Sequence, residues 1–486
     1  MPEKGNGAGE PQHPWLIQGG MGVAISGWRL ARAVSSQGHL GVVSGTGIDT
    51  VFVRRLHDFG VDPELEQVLA GFPVPSVVER VLERYGKHDP GRGTPYRCIS
   101  MPGHHQSVFA QDLLVLATYT EVALARLHHT GSVGINLLTK IELPTVPSLF
   151  GAMLAGVDYV IMGAGIPRHI PGILDELAHG RTVPIELTVS GRDPGTPLPR
   201  MEFNPERFIV GAPPRRPFFL AIVSSNALAT ALVRKSTGKV DGFVVEAPIA
   251  GGHNAPPRGE MRLDASGSPV YGERDAVDLE ALRRLGLPFW LAGGITSASD
   301  VEKAVAGGAT GVQVGTLFAF CRESGMEEGL KAQTIAGCME KTDMVSTSPR
   351  ASSTGYPFKV ARVKGTLWET SIYEERTRKC DLGYLREAYL KEDGKLGYRC
   401  AAEPEDQYVS KGGSIEDTAG RMCICNGLMA TAGMGQLRAH HRREPAVVTA
   451  GDSIGAILKL RELYGDYSAA DVIAYLAQRG GRAAAG

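Results

Sequence analysis

An excess of charge of either sign is missing from this chain. Lys and Arg total 51 against 52 Asp and Glu, a net charge of −1. A nucleic-acid or anionic-membrane binder needs a basic excess, so neither partner is expected. Long apolar runs are also missing. No stretch reads as the run of about 20 apolar residues that a bilayer span requires. Cysteine is scarce, seven in 486 residues, and the number is odd. In a chain of this size that reads as free thiols rather than a disulfide framework. There is no internal repeat and no low-complexity tract. The opening segment, Met1 to His13, lacks an apolar signal core. It is polar and rich in Gly and Pro, and reads as a disordered lead-in to a cytoplasmic protein.

What is abundant is glycine, 62 residues, often placed where an apolar run ends. That pattern suits tight strand-to-helix loops around a binding site. Nine short runs rich in Val and Ile read as strands: 15–18, 40–44, 132–137, 159–162, 184–189, 218–224, 242–246, 289–292 and 311–315. Continuous apolar runs mean strands buried on both faces, as in a parallel sheet covered by helices. Helices at 27–36, 146–155, 227–235 and 298–306 alternate with them. The sum is an α/β protein, a (β/α)8 TIM barrel. One strand candidate is surplus, in the pair 184–189 and 218–224. The proline-rich stretch between them cannot be helical and reads as an excursion near 190–217 with a hairpin in it. A second excursion, near 50–110, carries helices at 63–69 and 76–85.

The domain reading is therefore a lead-in over 1–13, a barrel over 14–321 with these two excursions, and a mainly α-helical C-terminal extension over 322–486. The extension is expected to pack on the barrel and close over its site. Within it, helices are expected at 323–341, 373–390, 452–463 and 468–478, with a Ser/Pro/Gly-rich loop at 346–359.

The strongest chemical signal is a pair of glycine-bearing strand ends. One is Leu291-Ala292-Gly293-Gly294-Ile295; the other is Gly311-Val312-Gln313-Val314-Gly315-Thr316. The last two strands of a barrel place their loops side by side. Backbone N–H groups of Gly293, Gly294, Gly315 and Thr316 can then converge on one phosphate. By itself this signal says phosphate, not flavin. Near the start, Gln18-Gly19-Gly20-Met21-Gly22 leaves a flat surface for a planar ring, with Met21 as a soft contact. A third strand ends in Glu246-Ala247-Pro248-Ile249-Ala250-Gly251-Gly252-His253-Asn254. It points His253 into the barrel mouth as a proton-transfer or substrate-contacting group. Glu246 orients His253 or contacts the cofactor. Asn136, closing Gly134-Ile135-Asn136, is placed to hydrogen-bond a flavin's polar edge.

In order, the motifs QGGMG, GINLL, EAPIAGGHN, LAGGI and GVQVGT resemble the nitronate monooxygenase (2-nitropropane dioxygenase) family over about residues 14–320. That family also includes flavin-dependent enoyl-ACP reductases. The resemblance implies FMN at the C-terminal mouth of the barrel. Gly20, Met21, Gly22 and Asn136 would hold the ring and ribityl region. Gly293, Gly294, Gly315 and Thr316 would hold the phosphate, with Gln313 nearby, and His253 would be the active-site histidine. It implies oxidation of alkyl nitronates or nitroalkanes with O2. The alternative is an NAD(P)H-dependent enoyl-thioester reductase acting in trans with a polyketide or fatty acid synthase. The paired strands around 184–224 and the loop 354–359 resemble those trans-acting reductases, and the compact monooxygenases lack the long excursions and the extension, so a small-molecule or a carrier-linked substrate both stay open, as does a homodimer. Two other classes also stay open: a flavin-free phosphosugar isomerase or synthase, and a flavin-binding subunit that docks a carrier protein.

Three further groups carry weaker signals. Cys380, Cys400, Cys423 and Cys425 lack paired C-x2-C knuckles, so they read mainly as scattered thiols, with a zinc or iron–sulfur site as the lesser reading. Arg350, Lys359 and Arg362 read as solvated charge, with a phosphate or NADPH contact as the lesser reading. His104 and His105 lie in the first excursion, where they are read mainly as surface residues and only secondarily as part of a cover.

Overall fold

In a computed structural model, residues 13–478 are described, apart from 90, 92, 194, 196, 198–200 and 342. The lead-in before His13, Pro194 and Pro199 of the second excursion, and residues 479–486 lie outside them.

Eight parallel strands close into a barrel: β1 (Leu16–Gln18), β2 (Leu40–Ser44), β3 (Val133–Leu138), β4 (Tyr159–Gly163), β5 (Phe218–Val223), β6 (Gly242–Glu246), β7 (Phe289–Ala292) and β8 (Gly311–Val314). Neighbours follow chain order, and β1 closes the ring on β8, Leu16 beside Val312. The apolar runs are continuous because each strand is buried twice. Ile17, Val42, Ile161, Leu220, Val244 and Trp290 fill the barrel interior. Their alternates, such as Leu16, Val43, Val160 and Phe243, face the helical layer. His13 plugs the floor, edge-on to Trp290 and Phe218, and the Trp290 indole N–H donates to Pro14 O at 2.7 Å.

The surplus strand resolves as expected. The run 184–189 is not in the barrel. Val183–Pro184 pairs antiparallel with Glu202–Phe203 as a short hairpin. The first excursion holds helices Ile48–Phe59, Pro63–Ala70 and Pro75–Tyr85. It leads into a helix, Val108–Arg126, that the search for apolar runs passed over. By length and composition this helix suffices to cross a membrane, but 67% of its apolar window is buried in the fold.

The C-terminal region departs from expectation in two places. The expected helix 373–390 stops after Thr370–Glu375. Gly383, at φ +71°, interrupts the run, and Glu387–Leu390 is instead the middle strand of a small sheet. That strand pairs with Leu396–Arg399 and with Val189–Ser190 of the second excursion. The expected loop 346–359 has paired ends: Val345–Ser348 runs antiparallel to Phe358–Ala361. The remaining helices form at Glu328–Glu340, Glu405–Ser410, Ile424–Thr431, Ala456–Tyr464 and Ala469–Ala477.

Candidate active site

One cavity of about 230 Å³ opens at the C-terminal ends of the strands. It gathers Gly20, Met21, Gly22, Asn136, Glu246, His253, Gly293, Gly294, Gln313, Gly315 and Thr316 into its lining.

The β1 loop is built by two residues that the sequence reading left without a role. Gln18 and Ser26 are fully buried. Ser26 Oγ donates to Gly19 O at 2.9 Å and accepts from Met21 N–H at 2.8 Å. Gln18 Oε1 accepts from Val42 N–H at 3.1 Å, tying the loop to β2. Gly20 lies flat on Asn136: a Cβ there would sit 2.2 Å from the Asn136 Cβ. No side chain fits, so the glycine is a packing requirement.

At the opposite corner, Gly293 and Gly294 adopt φ +91° and +74°. A Cβ on Gly294 would also stand 2.5 Å from Ile249 Cδ1. Among the described residues, the N–H groups of Gly293, Gly294 and Gly315 find no acceptor. The corner is sealed from the C-terminal region. Gly451 N–H donates to Thr316 Oγ1 at 3.0 Å, Gly252 N–H to Thr449 Oγ1 at 2.9 Å, and Asp452 N–H to Ile249 O at 3.0 Å. The small-residue run Thr449-Ala450-Gly451-Asp452 was the available signal for this seal, and it was not read.

Three further walls come from the same region: Phe358, Tyr384 and Cys425 all line the cavity. Tyr384 Oη donates to buried Asp49 at 2.5 Å. Lys359 is not solvated charge. It is buried, and its ammonium pairs with Asp452 at 2.8 Å and donates to Thr347 Oγ1 at 2.6 Å. Arg362 is half-buried against Asp343 and Trp368, whereas Arg350 is exposed.

His253 packs edge-on to Phe358, ring centroids 4.8 Å apart. Its Nε2 shares a 2.7 Å hydrogen bond with Ser352 Oγ, which meets Thr354 Oγ1 at 2.8 Å. Beside them Lys140 donates to Thr354 O at 3.2 Å and lies 3.4 Å from the Tyr356 ring centroid, a cation–π contact. Burial, aided by the Lys140 charge, lowers His253 to about 4. Burial alone lowers Lys140 to about 8. The imidazole is therefore neutral at pH 7. Glu246 moves the other way, raised by burial to about 7.

His104 and His105 are not in the cavity lining; His104 stacks on Tyr398. The four late cysteines are not scattered. Cys380, Cys400, Cys423 and Cys425 line one small cavity of about 10 Å³. Among the described residues, no three His, Cys, Asp or Glu side chains are set to hold a metal ion.

The donor set fits a phosphate-bearing flavin. Free N–H groups line the glycine corner, the Gln313 Oε1 is buried without a partner, and the Asn136 amide makes no hydrogen bond among the described residues. Residues 214–379 match the family model described as nitronate monooxygenase. The stretch carries β5 to β8 and the His253 loop, and it is of oxidoreductase type. No curated protein matches the chain. Solved structures with similar folds include FabK from Thermotoga maritima, at 16% identity and TM-score 0.49 over 96% of this chain and 91% of that one. Another is a nitroalkane oxidase from Streptomyces ansochromogenes, at 13% and 0.43 over 95% and 94%. A third is the enoyl reductase domain of MlnA from Bacillus amyloliquefaciens, at 12% and 0.43 over 95% and 93%.

Proposed function

We propose that the chain is an FMN-dependent oxidoreductase of nitronate monooxygenase type, oxidising alkyl nitronates or nitroalkanes with O2. The observation that carries this reading is the convergence of the two glycine corners, Asn136, Gln313 and His253 on one cavity, within and beside the stretch that matches the family model. Gly293, Gly294, Gly315 and Thr316 hold the phosphate. Gly20, Met21, Gly22 and Asn136 hold the ring. When bound, FMN supplies the electron acceptor that couples substrate oxidation to O2. The protein orients the substrate and excludes water. Neutral His253, fixed by Ser352, donates a ring N–H hydrogen bond to the nitro oxygens without adding charge.

A second reading, an NAD(P)H-dependent reductase of enoyl thioesters on a carrier, is favoured by one observation. Ser352 and Thr354, at the edge of the loop whose sequence resembles the trans-acting reductases, are the groups that hold His253. The test is an oxygen-electrode assay on purified protein. Nitronate-dependent O2 uptake without nicotinamide supports the first reading. Rapid anaerobic bleaching of the flavin by NADPH, reversed by an enoyl thioester and with no nitronate turnover, replaces it with the second.

A further inference from the structure

The four late cysteines meet although the chain keeps them apart. Cys380 lies in the turn before Glu387–Leu390, and Cys400 directly follows the strand Leu396–Arg399. Cys423 and Cys425 stand at the start of the helix Ile424–Thr431. Their common cavity is walled otherwise by residues that include Leu382, Leu385 and Ile424. All four are free thiols. Water is a poor occupant, because it wants about three hydrogen-bonding partners and thiols are weak donors and weak acceptors. Sulfur ligands select soft metals and iron–sulfur clusters instead. Among the described residues, no three of these side chains are set to hold one ion, as a zinc with four thiolates requires. An iron–sulfur cluster makes a different demand, since its four cysteines are divided among several irons.

The surroundings suit negatively charged sulfur. Asn426 Nδ2 donates to Cys423 Sγ at 3.5 Å. The N–H groups of Ala402 and Leu385 face the sulfurs of Cys400 and Cys425. Hydrogen bonds to ligating sulfurs are one of the means by which proteins tune a cluster. Arg386 lines the same cavity, and Cys423 is the N-cap of its helix, at the positive end of the helix dipole. Cys425, Ile424 and Leu385 line the main cavity as well, so one layer of side chains separates the thiols from the candidate flavin site.

We propose that Cys380, Cys400, Cys423 and Cys425 ligate an iron–sulfur cluster seated against the wall of the main cavity. The site goes beyond the flavin chemistry and stands whether the substrate is a nitronate or an enoyl thioester. On uptake of a preformed cluster, four bonds form between cysteine sulfur and iron. Each thiol gives up its proton, and no electron moves. The cluster fills more than the present hole, so the sulfurs turn outward about χ1 as it enters.

The test is anaerobic incubation of the full chain with ferric iron, sulfide and dithiothreitol, which supplies the reducing electrons, followed by desalting. Iron and acid-labile sulfide should be retained in equal amounts, about two or about four of each per chain. The count tells a 2Fe–2S from a 4Fe–4S cluster. Reduction by dithionite should then give a fast-relaxing electron paramagnetic resonance signal, distinct from a flavin radical. Cys400→Ala and Cys423→Ala should each lose most of the iron and the signal, while Cys98→Ser and Cys338→Ser keep both. If the two Ala variants do not fold, the wild-type count and spectrum decide alone. Iron held without sulfide, or held equally by folded Cys400→Ala, overturns the proposal. So does about one zinc per chain in protein purified from cells, with no iron taken up. Failure to retain either metal overturns it too, and leaves the flavin reading standing if the protein still binds FMN.

Discussion

Lys359→Met isolates the seal over the glycine corner. The substitution keeps most of the buried stem and removes the ammonium that joins Asp452 and Thr347. Breaking a buried pair by removing one partner costs about 3–5 kcal/mol when the other charge stays stranded. Here the Asp452 side chain is 43% exposed and takes up water again, while Met is relieved of the ammonium's burial cost. The net loss is then about 1–2 kcal/mol. Spread over a chain of this length, with an unfolding entropy of roughly 2 cal/mol/K per residue, it moves Tm by only about 1–2 °C. The loss is local, however. Asp452 sits in the segment whose Thr449, Gly451 and Asp452 bonds close the cavity. A loosening of 1–2 kcal/mol corresponds to about 5–30-fold weaker flavin retention. Equilibrium dialysis against free FMN measures it. Lys459→Met, at an exposed pair with Glu462, is the control and should change nothing. Unaltered FMN affinity in Lys359→Met, or an effect confined to the KM for NADPH, would refute the reasoning.

Gly294→Val should lose most of the bound flavin, read as visible absorbance per mole of protein. A φ of +74° and the 2.5 Å approach to Ile249 leave no strain-free side chain. Glu246 and His253 should offset one another in stability. The raised Glu246 stabilises the fold below its unfolded pKa of about 4.5 and loses that stabilisation as pH climbs to about 7. The depressed His253 is protonated in the unfolded chain below about 6.5, so its contribution grows as pH rises from about 4. Melting scans should therefore show Glu246→Gln gaining Tm between about pH 4 and 6.5, with wild type much flatter there. Ser352→Ala should lower turnover by about tenfold and cost about 1 kcal/mol of stability, as expected for one hydrogen bond; turnover at the wild-type rate would remove Ser352 from the account. Maleimide should modify exposed Cys98 first, with Cys380, Cys400 and Cys425 reacting only on unfolding, because burial raises those thiols.

The barrel was legible because its strands are buried on both faces, which erases alternation and leaves apolar runs with glycines at their ends. The runs 40–44, 242–246 and 289–292 coincide with β2, β6 and β7. The C-terminal region was harder. Its strands are short and carry charges such as Glu387 and Arg399, which pair with each other at the sheet surface. Nothing local separates that pattern from a charged helix. Lys359 read as surface charge because its partner Asp452 lies 93 residues away. The gathering of four cysteines had the same cause, since spacing along the chain does not report a tertiary meeting.

The seal has a consequence for biosynthesis. Thr316 closes β8, but the backbone that caps its hydroxyl comes from Gly451, 135 residues later. At about 5–20 residues per second, the ribosome needs roughly 7–27 s to supply that segment after the last barrel strand. During this interval the barrel has all eight strands and an open glycine corner. On the proposed function, flavin capture is then a late event, and a chain truncated before Thr449 should fold as a barrel that stays colourless.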